Sequence, residues 1–254
     1  MTSGANQRST VKSLAGLPLA ESKTDRLAAL HAALSPHLAT IRTRRGQNVT
    51  LMAEGGEAAF IVRTGVLTVS VTMPGTSRQL VAILFPGDVL CSGFVPCEAD
   101  ATLTPASAGE LWRLRWPVFA ELSAKDAAVA RFYHEAFDRQ MACRAIHVAT
   151  IGQFDCRQRV ATFLLELALR TGTPSPSGGG VVFDMPLSRI DVADYLGLNA
   201  DTLSRTMSRL RSSGVLNHSE RNRAVLRDLR ALAALSPAAR ALIDLHGDRQ
   251  LAAS

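Results

Sequence analysis

A short polar run with two arginines is the strongest chemical signal in this chain. Five hydrogen-bonding side chains recur at helical spacing and would share one face of a helix: Asp201, Ser204, Arg205, Ser208 and Arg209. A guanidinium group can donate two parallel hydrogen bonds to guanine O6 and N7, and a carboxylate can accept one from cytosine N4. Hydroxyl groups bind either bases or phosphates. The set therefore has the chemistry needed to read base edges in a DNA major groove.

The residues around this run predict two short helices joined by a tight turn. Ser188 and Asn199 are favourable N-caps, since their side-chain oxygens can accept from the first free backbone N–H groups. Gly197 and Gly214 tolerate the left-handed backbone that follows a helix. This arrangement is typical of a helix-turn-helix whose second helix enters the major groove.

Apolar residues predict the buried side of both helices. In the second helix Leu203, Met207 and Leu210 recur as a stripe that faces a core. The first helix offers a second apolar set: Ile190, Ala193, Tyr195 and Leu196. Short apolar runs at 215–216 and 224–226 then predict two strands around a polar, basic tip, as in a winged helix. A solvated amphipathic helix pair is the alternative, but caps, stripe and hairpin all agree with one fold.

The segment RIDVADYLGLNADTLSRTMSRLRSSGVL resembles the DNA-binding end of the Crp/Fnr family of bacterial transcription regulators, closest to its Fnr and FixK branches. The recognition helix of those branches carries Glu-x-x-Ser-Arg, where this chain has Asp201-Thr202-Leu203-Ser204-Arg205. The resemblance implies that Ser204 and Arg205 read base edges and phosphates, with Asp201 in the place of the glutamate. The resemblance implies a DNA half-site of the TTGAT type. Because aspartate is one methylene shorter than glutamate, its reach to a base edge differs, so the resemblance alone does not fix the half-site.

The charge distribution is consistent with phosphate contacts. Between Ser188 and Arg230, eight arginines face five acidic residues, a net charge of +3 out of +6 for the whole chain. Phosphate contacts position a protein on DNA and make its affinity salt-dependent. We expect phosphate contacts mainly from four arginines: Arg189, Arg209, Arg221 and Arg223.

Short apolar runs separated by glycine dominate the first half of the chain, after a possible helix over Thr24 to Leu34. AFIVR, VLTVSV and QLVAILF are β-rich, and ATLTPAS and GELWRLR continue the series. Strands at this spacing with intervening turn residues predict a sandwich or barrel. The pattern is similar to the cyclic-nucleotide-binding β-roll that precedes the helix-turn-helix in the same family.

A long helix is predicted from about Ala124 to Gln153, with one mostly apolar side: Tyr133, Phe137, Met141, Val148 and Ile151. The resemblance implies that this stripe packs on the equivalent helix of a second subunit. The alternative is that the stripe packs only on its own β-roll. A homodimer would place two recognition helices about 34 Å apart, the spacing that reads a palindrome.

The predicted fold class is α+β. We expect a flexible tail over 1–23, a β-roll over 24–122, a dimerisation helix over 123–153, a winged helix-turn-helix domain over 154–236 and a second tail over 237–254.

Residues that would bind an effector are not evident in the predicted β-roll. Cyclic-AMP-binding members carry Gly-Glu and Arg-Ser pairs after the turn that corresponds to Pro86-Gly87-Asp88, and this chain has neither pair there. A buried cyclic phosphate without a cation would be costly, so we expect no cyclic nucleotide to bind. The four cysteines include no C-x₂-C pair, so neither a metal site nor a cofactor is predicted. Cys156, near the first turn of a helix, is the best candidate for a redox role.

Other classes of protein are disfavoured. No apolar run approaches the roughly 18 residues of a membrane span, and the N-terminal segment has no signal core, which predicts a cytoplasmic protein. No complete P-loop, zinc-protease or nucleophile-elbow motif occurs, so we expect no enzyme. The predicted function is sequence-specific transcription regulation by a homodimer on a palindromic site, and the resemblance implies RNA polymerase as a partner. The alternative is a redox- or ligand-sensing module of the same fold.

Overall fold

The structure, a computed structural model, describes residues 23–51, 57–91, 99–175, 180–220 and 223–246. Seven strands form the N-terminal part: β1 (Ala39–Thr43), β2 (Ala58–Thr64), β3 (Leu67–Thr72), β4 (Gln79–Leu84), β5 (Val89–Cys91), β6 (Asp100–Pro105) and β7 (Gly109–Arg115). They make two antiparallel sheets, ordered β1-β7-β2-β5 and β4-β3-β6. Apolar side chains such as Phe60, Leu67 and Leu111 fill the space between the sheets. The predicted β-roll is therefore present.

Three helices flank or leave the β-roll: α1 (Lys23–Leu34, followed by a 3₁₀ turn at Ser35–His37), α2 (Trp116–Lys125) and α3 (Ala127–Gln153). The helix predicted from Ala124 is thus divided, and the boundary placed at residue 123 is wrong. Asp126 leaves the helical region, with φ −122° and ψ 109°, and its carboxylate accepts from the backbone N–H groups of Ala128 and Val129. A new helix starts there because this N-cap satisfies its first free donors. At 1.5 Å per residue, α3 is about 40 Å long.

The C-terminal part combines helices with a small sheet: α4 (Cys156–Thr171), β8 (Thr173–Pro174), β9 (Val181–Asp184), α5 (Arg189–Tyr195), α6 (Ala200–Ser212), β10 (Leu216–Glu220), β11 (Arg223–Leu226), α7 (Leu229–Leu235) and α8 (Ala239–His246). The sheet is antiparallel, in the order β10-β11-β9-β8. A helix-turn-helix (α5 and α6) and a wing hairpin (β10 and β11) are both present, as predicted. The pairing of β8 with β9 is not among the elements predicted from the sequence.

The predicted C-terminal tail from residue 237 is wrong over 239–246. These residues form α8, in which Leu242 is fully buried and Ile243 packs against the same core. The helix forms because ARALIDLH places its apolar side chains on one side. Residues 1–22 and 247–254, which cover most of the two predicted tails, lie outside the described residues.

The two parts of the chain share a hydrophobic core. Val66, Leu80 and Phe85 from the β-roll pack in one cluster with Val160 and Phe163 of α4. The position of the C-terminal domain against the β-roll is therefore fixed by burial within one chain. None of the described helices has both the length and the apolar character needed to cross a bilayer.

Candidate nucleic-acid interface

The turn between α5 and α6 is held by caps and by one arginine. Ser188 Oγ accepts from Asp191 N at 3.1 Å, and Asn199 Oδ1 accepts from Thr202 N at 2.7 Å, so both predicted N-caps are confirmed. Gly197 has φ +58°, a region that favours glycine. Arg159, on α4, donates from Nη1 to the carbonyl oxygens of Leu196 and Gly197, at 3.0 and 3.3 Å. These bonds fix the angle at which α6 leaves the turn.

One side of α6 is buried and the opposite side is open. Leu203, Met207 and Leu210 are all buried, which confirms the predicted stripe. The predicted polar set lies across the helix: Asp201, Arg205, Ser208 and Arg209 are exposed and Ser204 is half-buried. The apolar stripe therefore fixes the rotation of α6 and turns its hydrogen-bonding face outward.

The two arginines at the centre of that face, Arg205 and Arg209, are free of ion pairs with any carboxylate in the part of the chain that the structure describes. Ser208 is already engaged, because Arg211 Nη2 donates to its hydroxyl at 2.9 Å. A guanidinium group in water without an internal partner can bind a planar acceptor such as a base edge or phosphate. Arg205 and Arg209 therefore have the donors with which the face could bind an external ligand.

The remaining predicted contact residues flank α6. Arg189 is exposed at the first position of α5. Arg223 begins β11 and lies 3.5 Å from Asp184 through Nε, in an ion pair whose side chains are both exposed. Arg221 falls outside the described residues. Solvent-exposed pairs of this kind are weak, so Arg223 can exchange Asp184 for a phosphate at small cost.

The prediction that Ile190 is buried is wrong, because its side chain is 72% exposed. The apolar face of α5 consists instead of Val192, Ala193, Tyr195 and the following Leu196. Ile190 lies in the first turn of α5, beyond the edge of the core that those residues enter.

A polar contact joins α5 to the β-roll. Arg78 Nη2 lies 2.9 Å from Asp191 Oδ1 and 3.4 Å from Asp194 Oδ2, and Leu80 N donates to Asp194 Oδ2 at 3.1 Å. Burial alone would raise the pKa of Asp191, but hydrogen bonds from Ser188 and Arg78 outweigh it and leave the pKa below its usual value. The helix-turn-helix is thereby tied to the strand that follows Arg78.

A second, buried contact joins α4 to the β-roll. Arg170 Nη2 donates to both carboxylate oxygens of Asp88, at 2.6 and 2.7 Å, and the guanidinium carbon lies 4.3 Å from the ring centre of Phe85. The two charged side chains are only 3% and 2% exposed. The sequence showed Asp88 in a turn, but its partner is 82 residues away. Arg170 ends an apolar run of α4 that also contains Glu166, and nothing in that run points to Asp88.

The long helix also supports the helix-turn-helix. His147 of α3 stacks on Tyr195 of α5, with ring centres 4.0 Å apart and planes 9° apart. Burial lowers the pKa of His147 to about 4, so the ring is neutral at neutral pH. Through this stack, α3 contacts the domain that carries α6.

The predicted stripe on α3 divides into two parts. Tyr133 and Phe137 are half-buried, and Tyr133 packs edge-on against Phe119 of α2 with ring centres 5.1 Å apart. Farther along, three large apolar side chains are exposed: Met141, Val148 and Ile151. The first part thus contacts other residues of its own subunit, and the second part presents apolar surface to solvent.

The cysteines occupy different environments. Cys156 is exposed at the first position of α4, where Asp155 and Gln158 form a capping box. Cys91 is buried at the end of β5, and burial raises the pKa of its thiol to about 11. Residues 92–98, on which part of the cyclic-nucleotide prediction depends, lie outside the described residues.

The chain is similar to known proteins over most of its length. Residues 158–235 match the Crp-like helix-turn-helix domain. The chain is 31% identical over 177 residues to the nitrogen fixation regulation protein FixK of Azorhizobium caulinodans, covering 69% of this chain and 70% of the relative. It is 32% identical over 175 residues to the transcriptional activator protein FnrL of Cereibacter sphaeroides, covering 67% and 69%.

Among solved structures, FixK2 from Bradyrhizobium japonicum is similar with a TM-score of 0.65 and 25% identity, covering 78% of this chain and 97% of that one. A cyclic nucleotide-binding domain containing protein from Listeria monocytogenes matches with a TM-score of 0.68 at 13% identity, covering 80% and 98%, which shows the fold alone.

Proposed function

Because the chain belongs to the Crp/Fnr family of DNA-binding transcription regulators, close to its FixK and Fnr members, we propose that it acts as a homodimer on a palindromic site. Arg205 is the main base-reading residue, with Ser204 and Asp201 beside it. The observation that carries the proposal is the outward polar face of α6, fixed by the buried Leu203, Met207 and Leu210.

The surrounding arginines supply phosphate contacts in this proposal. Arg209 lies one helical turn beyond Arg205, while Arg189 and Arg223 lie on neighbouring elements at exposed positions. Such contacts set the register on the duplex and carry no sequence information themselves. We propose the same role for Arg221, which lies outside the described residues.

Dimerisation uses the distal part of α3. Met141, Val148 and Ile151 are exposed on a helix about 40 Å long, and Val148 is 64% exposed. An apolar stripe of this kind is stabilised when a second copy covers it. Two-fold symmetry then places the two α6 helices in successive major grooves.

Selection of the preferred duplex from random DNA by the purified protein tests the proposal. We expect two inverted half-sites whose centres lie one helical turn apart, about 10 base pairs. Sedimentation of wild type and Val148→Glu tests the dimer, with Met73→Glu, an exposed methionine on the β-roll, as the control. An unsymmetrical or absent preference, or a Val148→Glu protein that remains dimeric, would contradict the proposal.

RNA polymerase is the partner that a transcription activator requires. Relatives such as FnrL carry the name transcriptional activator, and we extend that role to this chain. Transcription in vitro from a promoter bearing the selected site should rise in the presence of the protein. A fall would indicate a repressor instead.

A further inference from the structure

Three potential metal ligands that are distant in sequence converge on one side of α4. Cys143 lies on α3, Glu166 on α4 and His246 at the end of α8. Cys143 Sγ lies 3.4 Å from His246 Nε2, which lies 3.9 Å from Glu166 Oε1. All three ligand atoms lie within 4.8 Å of one another. The side chains are poorly accessible, with His246 4% and Glu166 15% exposed.

We propose that Cys143, Glu166 and His246 form a binding site for a divalent transition-metal ion of the zinc class. Typical distances to zinc are about 2.3 Å from sulfur and about 2.0–2.2 Å from nitrogen and oxygen. Tetrahedral geometry then places the ligand atoms about 3.4–3.6 Å apart. The observed spacing between sulfur and nitrogen already fits, and the carboxylate needs only a small rotation to approach.

The identity of the ligands favours zinc over a hard cation. A thiolate and an imidazole select zinc, cobalt or copper, whereas magnesium and calcium require oxygen ligands. In the absence of an ion, burial raises the pKa of the Cys143 thiol to about 12 and also raises the pKa of Glu166. A dication would replace those protons, because a coordinating thiol is deprotonated.

Two of the three proposed ligands would be anionic when they bind such an ion. Arg170 lies 3.9 Å from Glu166 Oε1, but its charge is already matched by Asp88. The thiolate of Cys143 and the carboxylate of Glu166 would then match the two positive charges of the metal. Two anionic ligands of this kind avoid the large cost of an uncompensated buried ion.

A fourth ligand can be water. A cavity of about 20 Å³ lies beside the cluster, lined by Cys143 and Glu166 together with Asp88 and Arg144. That volume accommodates one water molecule, and the lining supplies polar partners. Three protein ligands and one water give the coordination number that zinc prefers.

The site would join three elements. A bound ion would tie α8 and α4, both in the domain that carries α6, to α3. Sequence spacing could not reveal it, because the ligands are separated by 23 and 80 residues and form no short motif. This inference does not depend on DNA binding.

Metal titration of the full-length protein tests the proposal. Calorimetry with Zn²⁺ should give one site per chain, and Co²⁺ should produce an absorption band from thiolate-to-cobalt charge transfer. Cys143→Ala and His246→Gln should each weaken Zn²⁺ binding by at least about 100-fold, and Cys143→Ala should abolish the band. Cys156→Ala, which removes an exposed cysteine outside the cluster, should behave as wild type.

Thermal unfolding distinguishes variants that have lost the metal site from variants that have misfolded. With Zn²⁺ at about 100 times its Kd, the Tm of wild type and Cys156→Ala should rise by about 5–10 °C, and that of Cys143→Ala should not change. Equal Zn²⁺ affinity in wild type and Cys143→Ala, or a cobalt band lost in Cys156→Ala and retained in Cys143→Ala, would overturn the proposal.

Discussion

Two arginines in the C-terminal domain, Arg205 and Arg170, occupy opposite environments. Arg205 is exposed on α6, and no ion pair involves it within the described ranges. Arg170 is 3% exposed and binds both oxygens of Asp88. The first has its hydrogen-bonding capacity available for a ligand, and the second uses that capacity to join two parts of one chain. The comparison predicts that replacing Arg205 affects binding while disrupting the Arg170 pair affects stability.

The largest expected effect is the loss of stability on disrupting the buried pair of Asp88 and Arg170. Asp88→Ala leaves the Arg170 guanidinium without its main counter-charge, so the free energy of unfolding should fall by about 3–5 kcal/mol. Urea denaturation followed by circular dichroism measures this change. A double variant, Asp88→Ala with Arg170→Met, should recover part of the loss, because the unpaired guanidinium is removed and the nearby Glu166, whose pKa is already raised by burial, can take up a proton. A loss below about 1 kcal/mol in the single variant would show that the pair is not buried in solution.

The next largest effect is on the affinity for DNA. Arg205→Ala should weaken binding to the selected duplex by about 1–3 kcal/mol, and leave the free energy of unfolding within about 0.5 kcal/mol of wild type. Fluorescence anisotropy at fixed salt measures the affinity. The matched control is Arg240→Ala, because Arg240 is an exposed arginine on α8, paired with Asp244 and outside the proposed interface.

The free energy of unfolding should depend on pH through the contact between α3 and α5. The pKa of His147 is about 4 in the folded protein, against 6.5 for an ordinary histidine. The unfolded chain therefore takes up the proton first, so the contribution of His147 is present above pH 6.5 and is lost as the pH falls toward 4. Allowing for the partial exposure of the ring, the loss is about 1–2 kcal/mol.

Urea midpoints at several pH values between 7 and 4.5 measure this loss. His147→Phe keeps an aromatic ring against Tyr195 and removes the titrating group, so its stability should depend less on pH over that interval. An identical pH dependence in wild type and His147→Phe would assign the effect to other groups.

The smallest effect concerns phosphate contacts. Arg223→Ala should weaken binding by less than about 1 kcal/mol for all duplexes alike, and reduce the slope of log K against log salt by about 1. Affinity measured over a series of salt concentrations tests this expectation. A change in base preference would instead mean that the wing reads sequence.

The environments of Arg205 and Arg170 also differ in how far the sequence predicts them. The exposed face of α6 was predictable, because Leu203, Met207 and Leu210 repeat within one helix and Asn199 and Gly214 mark its ends. Such local patterns determine the rotation of a helix. The resemblance of the Ser204-Arg205 region to a known family strengthened the same prediction.

The internal contacts could not be predicted, because they join residues that are far apart in the chain. Arg170 meets Asp88, and Arg78 meets Asp194, across separations of 82 and 116 residues. Only tertiary packing decides that these groups face one another. Similarly, α8 was missed because its burial depends on the surface of α4, and Ile190 was misplaced because the core ends before it.

The central claim, that the open face of α6 reads DNA bases through Arg205, is tested most directly by a double-mutant cycle. The affinities of wild type and Arg205→Ala are measured on the selected duplex and on a duplex in which one G·C pair of the half-site is changed. We expect a coupling energy of about 1–3 kcal/mol at one base pair, so that Arg205→Ala no longer distinguishes the two duplexes there. Additive losses at every G·C pair would contradict the assignment of Arg205 as the base-reading residue.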